Sequence, residues 1–255
     1  MNLFDTHCHI DAAEFDADRD AVIARAYANG VSDIAVPGVT REGWPALLDL
    51  CSRETGLHPA LGLHPVYLTS HRESDLIALR ELAMQVHPIA IGEIGLDYVM
   101  PDLDRQAQQR YFDLQLEIAQ ELGLPVILHV RKAHDQVLLS LKRINVVGGI
   151  AHAFNGSVQQ AKSYMALGFK LGFGGMLTYE RSTKLRGLAH ELPLESIVLE
   201  TDAPDLTVAQ HRGERNSPEY LPFVLNALAE VRDMDPQTLA EITTANAREV
   251  FGLSA

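Results

Sequence analysis

Cysteine is scarce in this 255-residue chain: Cys8 and Cys51 are the only two. A single pair cannot build the disulfide framework of a small secreted domain. A chain of this length needs none, because it buries roughly 70–75% of its unfolded surface on folding. No apolar run approaches the roughly 18 residues of a membrane span. The opening MNLFDTHCHID carries neither the basic start nor the apolar core of a secretory leader. Positive charge is also thin, with 21 Lys and Arg against 34 Asp and Glu and a net charge of -13. That balance disfavours a long track for duplex DNA, whose non-specific affinity comes from Lys and Arg on phosphates. Aromatics make up 6% of the chain, with one tryptophan, Trp44. No aromatic and basic stripe of the kind that binds single strands interleaves along it. The 18 Gly and 12 Pro are too few for a fibrous or disordered chain. The expectation is a cytoplasmic single domain over residues 1–255, with no membrane segment and no obligate protein partner. A small anionic substrate remains open, because bound cations can supply the charge the chain lacks.

What the chain has is alternation. Short apolar runs recur eight times, at Leu3–His7, Asp33–Val36, Ala60–His64, Ile89–Glu93, Val126–Val130, Gly149–His152, Lys170–Phe173 and Ile197–Thr201. VILHV and IVLET are too continuously apolar for a strand with one wet face, as parallel sheets require. Helical patterns lie between. One spans about Arg105 to Leu122, with Leu114, Ile118, Ala119 and Leu122 at helical spacing, Gly123 as its C-cap and Pro125 as its stop. Two more follow the eighth run, Pro218–Val231 and a last helix from Asp235-Pro236 to Phe251. Eight βα units without a break predict a single-domain α/β protein, a (β/α)8 TIM barrel. An open doubly wound sheet would more often carry a Gly-rich phosphate loop after its first strand, where this chain reads DTHCHIDAAEF.

Barrel chemistry gathers at the C-terminal strand ends, and the polar residues there form a pattern. The first run leads into His7-Cys8-His9, whose histidines share a face because extended residues two apart point the same way. The others end LGLH (His64), IAIGE (Glu93), VILH (His129), GIAH (His152) and IVLETD (Asp202). Any one of these could be a strand-terminal polar group or a satisfied core histidine. Repeated at the same end of strand after strand, they have one economical cause, a polynuclear metal site. Imidazole and carboxylate without thiolate suit Zn, Mn, Co, Ni or Fe, and Mg less well. Four histidines and two carboxylates exceed the needs of one tetrahedral ion, so two divalent ions are expected, with Glu93 able to bridge them.

The segments DTHCHID, GLHP, GEIGLD, LPVILHVRKAHD, HAFNGS and LETDAPDL, in that order, resemble the TatD family of metal-dependent hydrolases and deoxyribonucleases, within the amidohydrolase-like barrels. The likeness covers nearly the whole chain and includes a downstream R-G-x-x-N-x-P element at Arg212–Pro218. It implies that His7, His9 and Asp202 bind one ion, that His129 and His152 bind the other, and that Glu93 bridges them. It also implies a hydrolase of phosphodiester bonds, of the 3'-5' exonuclease type on single-stranded DNA ends or other small phosphoesters.

An ion-bound water has a pKa near 7 rather than about 15.7, and Asp202 is the candidate to orient it and take its proton. Glu93 and Asp202 are thus the candidate catalytic carboxylates. His64 and Arg131 are candidate substrate contacts, Arg131 as a phosphate donor. Asp5 and Asp97 could each hold the second nitrogen of a ligand histidine, or serve as turn and cap residues. Arg212, Arg215 and Asn216 could reach substrate or tie their loop down. Two alternatives share the scaffold: a hydrolase of amides, esters or lactones, and a metal-binding protein without turnover.

Overall fold

The computed structural model describes residues 2–253. Eight strands run parallel in sequence order: β1 Leu3–Asp5, β2 Val31–Pro37, β3 Leu57–Leu61, β4 Ala90–Asp97, β5 Val126–Arg131, β6 Gly149–Ala151, β7 Phe169–Phe173 and β8 Ile197–Leu199. The sheet comes round on itself where Thr6 N donates to Leu199 O at 3.0 Å and Asp202 N to His7 O at 2.8 Å. Helices α1 Arg19–Ala28, α2 Trp44–Arg53, α3 Glu73–Val86, α4 Arg105–Leu122, α5 His134–Arg143, α6 Val158–Ala166 and α7 Thr183–Glu191 connect successive strands. After β8 follow α8 Leu221–Arg232 and α9 Pro236–Phe251. This is the (β/α)8 barrel that the alternation predicts. Among the described residues no helix is long and apolar enough to cross a membrane.

The strands read as apolar on both faces because both faces are covered. Phe4, Ala35, Ala60, Ala90, Ile127, Ile150 and Val198, each from a different strand, pack inside the barrel and against Ala247 and Phe251 of α9. The outward residues, such as Ile34, Val36, Leu61, Ile91 and Leu128, join the larger core under the helices. The floor is therefore plugged by the last helix, and only the opposite mouth is open. Trp44 is core, its indole N–H donating to Gly62 O at 3.1 Å, and both cysteines are buried and free.

Local signals place α4 where its pattern puts it. Asp104 caps its start by accepting from Ala107 N, and Gly123 ends it at φ 64. Its buried stripe is wider than the spacing suggests: Phe112, Leu116, Ile118 and Ala119 are buried, whereas Leu114 and Leu122 are partly so. Several strand ends differ from expectation. β1, β3, β6 and β8 stop short of their polar residues, so His7, His64, His152 and Asp202 stand on the loops that leave the sheet. β4 instead continues past Glu93 to Asp97, with its register to β5 shifted between Ile91 and Ile94. An irregularity of this kind re-aims a side chain from within a strand, and Glu93 lies in that interval. The helix expected from Pro218 opens as a single 3-10 turn, Pro218–Tyr220, before α8 proper.

Candidate metal centre

His7 and His9 do share a face, with their Nε2 atoms 3.2 Å apart, while Cys8 turns into the core. Glu93 lies between the histidines of the mouth. Its Oε2 is 3.1 Å from His7 Nε2 and 3.4 Å from His9 Nε2. Its Oε1 is 2.9 Å from His129 Nδ1 and 3.2 Å from both His64 Nε2 and His152 Nε2. Asp202 Oδ1 closes the first side, 3.6 Å from His7 Nε2 and 3.9 Å from His9 Nε2. Three groups of donors lie close enough to hold an ion: His7, His9 and Asp202; His7, Glu93 and His152; and His64, Glu93 and His129. All six residues expected as ligands therefore meet at one place, as does His64.

The donor set fits cations. Nitrogens of His7 and His9 face each other across 3.2 Å. Two neutral imidazoles whose lone pairs converge repel unless a proton or a metal lies between them. Where a group lies behind a ring, it indicates which lone pair is free. His129 Nε2 is 3.0 Å from Asp97 Oδ2, so that nitrogen carries the proton and Nδ1 offers its lone pair toward Glu93. His152 Nδ1 makes no hydrogen bond among the described residues, but Glu200 Oε1 lies 3.6 Å behind it, and that carboxylate favours a proton there and a free Nε2. His64 is the reverse case. Its Nδ1 accepts from Val66 N at 3.1 Å, so in the neutral ring Nε2 is protonated and is a donor, not a ligand.

Electrostatics support these states. Burial lowers the His64 pKa to about 4, against the pull of Glu93, so this ring is neutral. Burial works against ionisation of Glu93, but the histidines gathered around its two oxygens hold it well below the usual carboxylate range. Asp202 is pushed up to about 6, chiefly by burial, with His152 and His9 opposing. Asp97 is held at about 2, where hydrogen bonds from His129 and Val99 and the charge of Arg131 overcome its burial.

Asp97 takes the histidine-orienting place anticipated for it, and Asp5 does not. Asp5 Oδ1 accepts from Thr201 N at 2.9 Å and Oδ2 from Thr201 Oγ1 at 2.5 Å, so it ties β1 to the end of β8 instead of holding a ring. Arg131 lines the cleft, half-exposed, with Nη1 3.3 Å from Asp97 Oδ2. In the downstream loop Arg215 grips Asp18 and Asn216 donates to Thr201 O and Asp205 O, so both tie the loop down. Glu200 was not singled out from sequence. It is fully buried, accepts from Ala153 N at 2.5 Å, and leaves Oε2 without a partner among the described residues. A Cβ at Gly172 would stand 2.1 Å from that oxygen, so β7 yields space to this carboxylate. Its signal was its place in the polar end of the eighth apolar run, IVLETD, two residues before Asp202. Above the donors opens a cleft of about 1160 Å³ that reaches His9, His64, Arg131, Asn155, Lys184 and Asp202.

Residues 4–252 match the family model of TatD related DNase. The chain belongs to the TatD family. Among TatD-family relatives, the metal-dependent hydrolase YjjV of Escherichia coli K12 is 39% identical over 255 residues, covering 98% of each chain. The 3'-5' ssDNA/RNA exonuclease TatD of Salmonella typhimurium is 37% identical over 257 residues, again covering 98% of each. The crystal structure of Escherichia coli YjjV superposes with a TM-score of 0.95 at 38% identity, covering 99% of this chain and 98% of the other. An organophosphorus hydrolase mutant from Deinococcus radiodurans shares the fold alone, with a TM-score of 0.65 at 15% identity, covering 98% of this chain and 92% of that one.

Proposed function

We propose that this TatD-family chain is a two-metal phosphodiesterase that removes nucleotides from the 3' ends of single-stranded DNA. The observation that carries the proposal is the two-sided use of Glu93, one oxygen toward His7 and His9 and the other toward His129 and His152. In this reading His7, His9 and Asp202 hold one divalent ion, His129 and His152 hold a second, and Glu93 serves both. The exonuclease relative supplies the substrate class.

The ions, when bound, supply Lewis acidity and a water activated at neutral pH. The chain's own residues do the rest. Asp202 borders the cleft, where it orients the attacking water and takes its proton. His64 borders the same cleft, and its Nε2 proton, 3.2 Å from Glu93 Oε1, is a donor for a non-bridging phosphoryl oxygen that comes to lie there, where charge grows in the transition state. Arg131, held by Asp97, meets a phosphate from the β5 side. Asp97 fixes the ring of His129 so that Nδ1 faces inward, and the Glu200 carboxylate behind His152 favours its Nε2 facing inward.

The test is release of mononucleotides from 3'-end-labelled single-stranded DNA by metal-stripped protein given back Mg²⁺, Mn²⁺ or Zn²⁺, with metal content measured in parallel. Metal-restored release by the wild type, with loss of both release and bound metal in Glu93→Gln, is the expected result. A fully metallated wild type that releases nothing would falsify the nuclease assignment.

A further inference from the structure

The cleft wall is electrostatically uneven. On the β1 and β8 side it carries Asp11, Glu14 and Asp205. Behind that side the arginines are neutralised, Arg19 by Asp16 and Arg215 by Asp18. The neighbouring wall, over β7 and the start of α7, carries Arg181 and Lys184. Both are exposed, and neither is ion-paired among the described residues. Each is nevertheless held in place. Lys184 Nζ donates to Asn155 O at 2.6 Å, and the Arg181 guanidinium lies over the Tyr179 ring, 5.4 Å from its centroid. A backbone carbonyl and an aromatic face orient a cation without cancelling its charge.

We propose that Arg181 and Lys184 form a phosphate track. They bind the backbone of single-stranded DNA inward of the scissile bond, while the terminal nucleotide lies over Glu93. The inference rests on the phosphodiesterase reading and extends it. A cleft of about 1160 Å³ is larger than the roughly 300–1,000 Å³ of most small-molecule sites, which leaves room beyond one nucleotide. A chain with net charge -13 repels a polyanion at long range, so affinity must come from a few local cations. Asp11, Glu14 and Asp205 disfavour the strand over β1 and β8, whereas Arg181 and Lys184 favour a path across α7.

The test compares R181A/K184A with the charge-keeping R181K/K184R. Binding is read on the metal-loaded protein by anisotropy of a labelled oligonucleotide of about a dozen nucleotides, with cleavage-resistant phosphorothioate linkages at its 3' end. Turnover is read on the same oligonucleotide without those linkages, and on bis(p-nitrophenyl) phosphate, which has no second phosphate. The alanine pair is expected to weaken binding about tenfold at low salt and to flatten the log–log salt slope by about 1.4, roughly 0.7 per lost phosphate contact. Its kcat/KM on the oligonucleotide falls in parallel, its rate on the small diester holds, and R181K/K184R behaves like the wild type. Unchanged binding and salt slope, or equal losses on both substrates, overturn the track. If the wild type cleaves neither substrate while R181A/K184A still weakens binding, the phosphodiesterase reading fails and the track stands.

Discussion

At the scale of single residues, the mouth of this barrel is governed by which nitrogen of each imidazole is committed elsewhere. His129 commits Nε2 to Asp97, and His64 commits Nδ1 to the backbone of Val66. From outside they are two strand-end histidines, yet one presents a lone pair and the other a proton. His64→Ala should therefore keep the full metal content while kcat falls by about 10- to 100-fold, on the order of one lost donor to developing charge. His64→Gln, which retains an N–H donor, should recover part of that loss. Metal analysis beside steady-state kinetics checks both, and loss of an ion in His64→Ala would make this ring a ligand. Asp97→Asn should weaken metal binding by about 10- to 100-fold with the fold intact, as losses of such outer partners do, and a competitive chelator titration measures it. The six donors were legible in sequence because each ends an apolar run. Their roles were not, because a tautomer is set by a partner distant in the chain, as Asp97 is from His129.

At the scale of elements, the number and order of strands and helices followed from periodicity, while their boundaries depended on neighbours. β1 and β8 are short because hydrogen bonding passes at their ends from backbone ladders to side chains such as Asp5 and Thr201. Glu200 was missed for a related reason: the space it needs is a missing Cβ on β7. Gly172→Ala should drive that carboxylate from its place, lowering both metal affinity and thermal stability, and Gly172→Ser should do the same or worse. Elements also meet at the floor, where Asp33 of β2 accepts from His58, Ser32 and Arg248. Burial opposes ionisation of Asp33, but these bonds outweigh it and hold its pKa at about 2. That lies below the roughly 3.9 of an unfolded aspartate, so the stabilisation is complete above about pH 4 and drains as pH falls toward 2. Asp33→Asn should be less stable than the wild type at pH 7, and the gap should narrow across that acid window in urea titrations.

At the scale of the whole molecule, five carboxylates, Asp5, Glu93, Asp97, Glu200 and Thr201's neighbour Asp202, crowd one end of an already acidic chain. Cations that bind only the folded state add stability by mass action, about 2.7 kcal/mol at a concentration 100 times Kd. For a domain of this size each kcal/mol moves Tm by roughly 2–4 °C. Chelation should thus lower Tm by several degrees in the wild type and hardly at all in Glu93→Gln, in a paired thermal-denaturation experiment. The floor is equally collective, since α9 seals a cluster drawn from seven strands. A chain ended at Asp235 should lose cooperative unfolding and bind hydrophobic dyes.

The seam between β1 and β8 joins Asp5 to Thr201, residues 196 positions apart, and Thr244 of α9 donates to Asn2 O at 3.0 Å. Such closure is the most non-local step the fold contains, and it comes last when a chain leaves the ribosome. Until Asp202 has emerged the donor set lacks a member, and until α9 follows the barrel has no floor. A chain that has not yet reached β8 therefore has neither the complete donor set nor the enclosure that holds it.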